Sequence, residues 1–173
     1  MKSNLKKKSI AGTAALYRVS IQMVLAFFLY MAYVYLGISI WLILAFGAFT
    51  GLIFGKVFCR WICPIGVIME LFMGFGGSDG KFRQMYQYHK IGCPIAWISG
   101  ALNRFSLFKL KTDASTCISC GLCDKSCYIS KIEPEKYSLY KKGKEHPGDA
   151  FSCSRCLSCV AACPNGSLSY KVK

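Results

Sequence analysis

The sequence predicts an α-helical membrane hairpin with interfacial helices, followed by a small, cysteine-rich α+β domain. Three observations carry this. Residues 19–55 hold no charged side chain. Cys59, Cys63 and Cys93 stand in two copies of a ligand-x-x-x-Cys-Pro-Ile pattern. Eight of the eleven cysteines fall into two runs of C-x-x-C-x-x-C-x-x-x-C.

Residues 1–18 form a basic leader, with Lys2, Lys6, Lys7, Lys8 and Arg18 and no acid. The uncharged run that follows would be about 55 Å long as one helix, too long for a hydrocarbon core of about 30 Å. Residues 19–57 are therefore read as two transmembrane helices turning at Gly37. Tyr30, Tyr33, Tyr35 and Trp41 then form an aromatic belt at the far interface. The basic leader and the pair Lys56 and Arg60 flank the near ends, which places both termini on the cytoplasmic side of the inner membrane. Gly47, Gly51 and Gly55 share one helix face, so another backbone can approach closely there: the first span, a second copy or a partner subunit.

Residues 58–108 hold two apolar stretches too short to span, Pro64–Met73 and Pro94–Leu107, placed at the cytoplasmic interface. The glycines at 74, 76, 77 and 80 read as a loop between them. Cys59-Arg-Trp-Ile-Cys63-Pro64-Ile65 aligns with His89-Lys-Ile-Gly-Cys93-Pro94-Ile95. Proline at the first helical position leaves each cysteine at a helix N-terminus, where an anionic sulfur is favoured. Cys59, Cys63, His89 and Cys93 are thus candidate ligands of a third redox centre, with imidazole replacing one thiolate. A site built from Cys59 and Cys63 of two chains is a variant. Small buried hydrophobes are the plainer reading of the cysteines.

Residues 109–173 carry the two long runs: Cys117, Cys120, Cys123 and Cys127, then Cys153, Cys156, Cys159 and Cys163. This is the spacing of a bacterial 2[4Fe-4S] ferredoxin, in which the fourth cysteine of each run ligates the other run's cluster. One cluster is expected on Cys117, Cys120, Cys123 and Cys163, the other on Cys127, Cys153, Cys156 and Cys159. Zinc sites use C-x2–4-C pairs rather than runs of four. Tyr128 stands where proline usually follows the fourth cysteine.

Apolar residues make up 54% of the chain, with mean hydropathy +0.36, which suits a membrane segment. The formal charge is +14. Each oxidised cluster with four thiolates brings about −2, so the loaded protein is less basic. The lysines flank apolar spans or scatter over the cysteine-rich domain, which argues for a membrane surface rather than nucleic acid. No Ser–His–Asp set, phosphate loop or paired carboxylates support hydrolytic or nucleotide chemistry.

The stretch Gly55-Lys-Val-Phe-Cys59-Arg-Trp-Ile-Cys63-Pro64-Ile-Gly66, with the paired runs, resembles the membrane polyferredoxin family typified by NapH and NosR. Arg18 and Gln22 are similar to an Arg-x-x-x-Gln feature of that family. The resemblance implies electron transfer between the quinone pool or a cytoplasmic donor and a separate redox partner. The chain departs from it in having two spans rather than four or more, a histidine at position 89, and no flavin-binding domain. Arg18, Gln22 and Thr50 are the candidates for quinone contacts.

The function these features predict is a membrane-anchored electron-transfer subunit of an oxidoreductase complex. It relays single electrons between a cytoplasmic donor and a quinone, a flavin or another membrane subunit. A soluble ferredoxin or flavodoxin is a candidate donor, docking on Lys131, Lys136, Lys141, Lys142 and Lys144, and a homodimer or larger complex is expected. The alternative is a metal or cofactor reductase or maturation factor that uses Cys59, Cys63 and Cys93 as a transient metal site.

Overall fold

The computed structural model describes residues 10–72, 77–140 and 145–172. The chain opens with α1 (Ile10–Leu16), α2 (Arg18–Leu36) and α3 (Ile40–Phe54). Gly37 ends α2 in the left-handed region, at φ +58°, where a residue with a Cβ pays a steric cost. Ser39 then caps α3 by accepting from the Trp41 N–H. At 1.5 Å per residue α2 is about 28 Å long and α3 about 22 Å. Only α2 is long and apolar enough to cross a membrane among the described residues.

Four helices follow: α4 (Phe58–Trp61), α5 (Pro64–Phe72), α6 (Gly77–Ile91) and α7 (Pro94–Leu102). Gly77 and Gly80 lie in α6 rather than in a loop. The second interfacial helix stops at Leu102, five residues short of the expected end. Asn103 and Ser106 turn inward there, and the chain becomes extended from Phe108.

The first apolar helix packs on α4 and α5, and the second on α7. The glycine face of α3 explains the second contact. A Cβ at Gly47 would meet Ile95 Cγ2 at 2.8 Å, one at Gly51 would meet Ser99 Oγ at 3.2 Å, and one at Gly55 would meet Asn103 Oδ1 at 2.6 Å. Ile95, Ser99 and Asn103 repeat at the same four-residue interval, so the glycine face of α3 receives a row of side chains of equal pitch. The stripe read from sequence thus serves α7, not the first span.

The remainder is an α+β unit. Strands β1 (Phe108–Thr112) and β2 (Leu168–Val172) pair antiparallel, Leu110 opposite Tyr170. Between them lie α8 (Leu122–Ser126), α9 (Tyr128–Ile132), a 3-10 turn at Pro147–Asp149, and α10 (Ser158–Ala162). Tyr128, Ile129, Leu139, Leu157, Val160 and Leu168 are buried together with cysteines in one core. Helix α1 packs on α10 and α6 on α9, so both ends of the apolar region grip this unit.

Candidate iron–sulfur sites

The two cysteine runs have the same backbone. Ser119 and Arg155, one residue before the second cysteine of each run, have φ +53° and +49°. Gly121 and Leu157, one residue after it, have φ +71° and +59°. Left-handed residues at matched positions curl each loop so that successive sulfurs face one point. A short helix then follows, and the fourth cysteine, Cys127 or Cys163, ends it in an extended conformation. That turn carries the fourth sulfur away from its own run.

The result is two cavities of similar size, about 350 Å³ and about 340 Å³ with their open mouths included. Cys117, Cys120, Cys123 and Cys163 line the first. Cys127, Cys153, Cys156 and Cys159 line the second. Each cavity therefore takes three cysteines from one run and the fourth from the other. Cys120 is exposed at the first, whereas Cys153 and Cys159 are buried at the second.

Both cavities suit a four-iron cluster better than a single ion. A lone zinc needs donors about 2.3 Å from one point. Among the described residues, no three His, Cys, Asp or Glu side chains converge that closely. The second cavity also holds a charge that asks for an anion. Arg155 is wholly buried and lines it, and its Nε and Nη1 have no hydrogen-bond partner. An isolated buried guanidinium is costly unless an opposite charge lies against it. Four thiolates on a cluster supply that charge.

Electrostatics separate the two cavities. Burial pushes the Cys123 thiol up to about 11, with the Asp124 carboxylate adding to it. Burial pushes Cys127 up to about 12 and Cys159 well above the ordinary range. Cys156 goes the other way: burial opposes its ionisation, but the Arg60 and Arg18 charges outweigh it. Burial raises Cys153 against the pull of the Arg155 charge and its backbone N–H. Protons held on these thiols are released when iron binds.

At the base of the apolar helices, Cys59 and Cys93 are hydrogen-bonded to each other. That contact pushes the Cys59 thiol up, with burial adding to it, and lowers Cys93 to about 5 against the effect of burial. The N–H groups of Ile95 and Ala96 at the start of α7 also favour the Cys93 thiolate. Burial raises Cys63, opposed by the N–H groups of Gly66 and Ile65 at the start of α5. His89 stands differently. It is wholly buried, its ring stacks on Tyr128 with centroids 5.9 Å apart, and neither ring nitrogen has a hydrogen-bond partner. Burial holds its pKa well below the usual range, helped by Lys56, Arg60 and Arg18. His89 thus stacks on Tyr128, which lines the second cavity, while Cys59, Cys63 and Cys93 act on one another.

A polar seam joins these parts, and sequence reasoning missed it. Asn103 Oδ1 accepts from the Lys56 N–H at 2.8 Å, while its Nδ2 donates to the carbonyls of Ala150 and Cys153 at 3.0 and 2.7 Å. Lys56 Nζ donates to the His89 carbonyl at 2.5 Å. Tyr170 Oη donates to the Phe54 carbonyl at 2.6 Å. The only signal for the seam was a lysine and an asparagine beside apolar helices. Of the quinone candidates, Thr50 donates to the Gly47 carbonyl at 3.0 Å. Gln22 is buried, donating to the Arg60 carbonyl at 3.1 Å and accepting from the Val67 N–H at 3.2 Å. Of the docking lysines, those at 141, 142 and 144 lie outside the described residues.

Two cavities, each lined by a crossed set of four cysteines, are the arrangement that two ferredoxin-type four-iron clusters need. Residues 116–167 match a family model described as a 4Fe-4S dicluster domain, and residues 33–81 match one described as a 4Fe-4S binding domain. The chain is 28% identical over 130 residues to an uncharacterized protein of Methanocaldococcus jannaschii, covering 75% of this chain and 36% of that one. A second uncharacterized protein of the same organism is 26% identical over 121 residues, covering 65% of this chain and 45% of that one. The Escherichia coli protein YccM, whose name provisionally assigns it to electron transport, is 32% identical over 75 residues. That alignment covers 43% of this chain and 18% of YccM. The chain spans less than half the length of each of these relatives. No solved structure matches it. The two family matches and the YccM likeness support an iron–sulfur electron-transfer role.

Proposed function

We propose that this chain is a membrane-anchored iron–sulfur subunit that relays single electrons between a cytoplasmic donor and a membrane redox partner. The observation that carries the reading is the division of eight cysteines, four and four, between two cavities. Clusters bound there supply one-electron transfer at nearly constant geometry. Cys117, Cys120, Cys123 and Cys163 hold one; Cys127, Cys153, Cys156 and Cys159 hold the other. The loop N–H groups and Arg155 compensate the charge, and the exposed rim at Cys120 and Ile118 gives a soluble donor access to the first.

The membrane part of the reading rests on exposure. Helix α2 is apolar, yet only 11% of its 18-residue window is buried, the reverse of a core helix in a soluble protein. Phe28, Tyr35, Leu36 and Trp41 face outward, with aromatics where α2 turns into α3. We read α2 and α3 as a two-span hairpin in the cytoplasmic membrane, with both termini and the cysteines on the cytoplasmic side. The membrane partner is a quinone, a flavin, another subunit or a second copy of this chain.

Cys59, Cys63 and Cys93 are the site nearest the membrane, and we assign them a third centre that exchanges electrons with that partner. One observation favours the alternative of a metal or cofactor reductase. Cys59 and Cys93 are hydrogen-bonded to each other with Cys63 acting on both, and free thiols so paired can take up a metal in transit.

Anaerobic membranes washed with alkaline carbonate test the reading. The chain and its dithionite-reduced cluster signals are expected together in the pellet. Release of the chain into the wash overturns the anchoring, and its retention without cluster signals overturns the electron-transfer role.

A further inference from the structure

Arg155 does more than fill space. Its Nη2 donates to the Asn103 carbonyl at 3.1 Å and to Ser106 Oγ at 3.2 Å, both uncharged partners. Its guanidinium lies 5.9 Å from the Tyr170 ring centroid. Its Nε and Nη1 are buried with no hydrogen-bond partner. Through its charge and its backbone N–H it acts on Cys153. Arg60 and Arg18 act on Cys156, and Lys56 on Cys153. Arg155 is the charged side chain among the residues that line the second cavity. At the first, the charged side chain beside Cys123 is an acid, Asp124. Asp124 is fixed there, accepting from Ser138 Oγ at 2.7 Å and the Leu139 N–H at 2.8 Å.

We infer that Arg155 sets the potential of the second site, making the Cys127, Cys153, Cys156 and Cys159 set the more oxidising of the two. This rests on the electron-transfer reading above. Reduction adds one negative charge to a cluster and moves no proton or atom. A buried cation stabilises the reduced form, and a nearby carboxylate destabilises it. Burial works against reduction at the second site, but burial also strengthens each cation's effect by lowering the local dielectric. The wholly buried Arg155 in the wall of the second cavity, against Asp124 held beside Cys123, decides the order. Electrons entering at the exposed first site are then drawn toward the second. There the Arg155 carbonyl accepts from Trp61 Nε1 at 3.0 Å, a direct tie to the helix that carries Cys59.

The test is a redox titration of the full chain, purified without oxygen and followed by electron paramagnetic resonance. The unaltered chain is expected to show two one-electron midpoints. R155M should lower the higher midpoint by about 59 mV or more, a tenfold or larger fall in its reduction equilibrium, and leave the lower in place. R155K should recover most of that shift. Movement of the lower midpoint alone, equal movement of both, or no movement overturns the inference. Should R155M lose its second cluster, D124N decides: the lower midpoint must rise while the higher stays. A D124N midpoint that stays, or movement of the higher one, overturns the inference equally. Iron per chain keeps the two levels apart. A full complement with unchanged midpoints sinks this inference alone, whereas a chain that never binds cluster iron sinks the electron-transfer reading beneath it.

Discussion

Trp61 donates its indole N–H to the backbone carbonyl of Arg155 at 3.0 Å, and so ties the Cys59–Cys63 turn to the second cysteine run. The bond joins residues 94 positions apart. W61F keeps an aromatic ring, though a smaller one, and removes the donor, leaving the carbonyl without this partner at a cost of about 1–3 kcal/mol. The expected result is a lower Tm with iron content retained, read by thermal unfolding and iron assay of the same sample. An unchanged Tm would mean the tie carries no load.

Asn103 satisfies three backbone groups with one side chain, at Lys56, Ala150 and Cys153. N103A strands the Lys56 N–H and the Cys153 carbonyl in a buried seam, while the Ala150 carbonyl keeps the Cys153 N–H at 3.0 Å. At about 1–3 kcal/mol for each stranded group, this exceeds the cost of an ordinary cavity. The variant should lose iron from the second cavity first, because Cys153 lies in that seam. Loss from the first cavity instead would contradict the placement.

The glycines of α3 should differ in their tolerance of alanine. At Gly47 the added methyl meets Ile95 Cγ2, a branch methyl that moves only if χ1 turns or the helices part slightly, so G47A should cost about 1–3 kcal/mol. At Gly55 it meets Asn103 Oδ1 in a backbone held at φ +74°, so strain and clash add. G55A should destabilise the protein more than G47A in parallel Tm measurements; the reverse order would show that α7 does not lie on this face.

The crossing of the fourth cysteines makes opposite predictions for C127A and C163A. C163A should abolish the cluster signal that is insensitive to R155M, and C127A the sensitive one. Each should remove about 4 of about 8 irons, if the weakened cluster is lost whole. Uncrossed runs would exchange the two outcomes.

His146 is half-buried, its Nδ1 accepting from the Gly148 N–H at 3.1 Å, and burial lowers its pKa. Its neutral form is favoured on folding. Between its folded pKa and about 6.5, the unfolded chain binds the extra proton, so stability is full above about pH 6.5 and falls as pH drops below it. The slope from this one group is at most about 1.4 kcal/mol per pH unit. H146N, which keeps an acceptor near Gly148, should flatten the decline in Tm between pH 6.5 and 5.5. An identical decline would assign it to other groups.

Much of this was legible in the sequence, for physical reasons. Ligand spacing is local, so the eight cysteines and the two helices after Cys-Pro could be read directly. The turn at Gly37 needed only a left-handed residue between two apolar runs. What escaped was set by distant partners. The glycine stripe of α3 found Ile95, Ser99 and Asn103, whose matching interval was visible but carried no direction. His89 shares a local pattern with Cys59, yet stacks on Tyr128, which only the tertiary fold brings near. Nothing local marks Arg155, which the tertiary fold buries against the second cavity.

The most direct test of the central claim is iron and acid-labile sulfide per chain, on protein purified without oxygen. The account predicts at least about 8 of each, from two four-iron clusters, and about 10–12 irons with the third centre loaded. About 8 with no excess would move Cys59, Cys63 and Cys93 to the transient-metal reading. Substantially fewer than 8, or zinc in place of iron, would contradict the account.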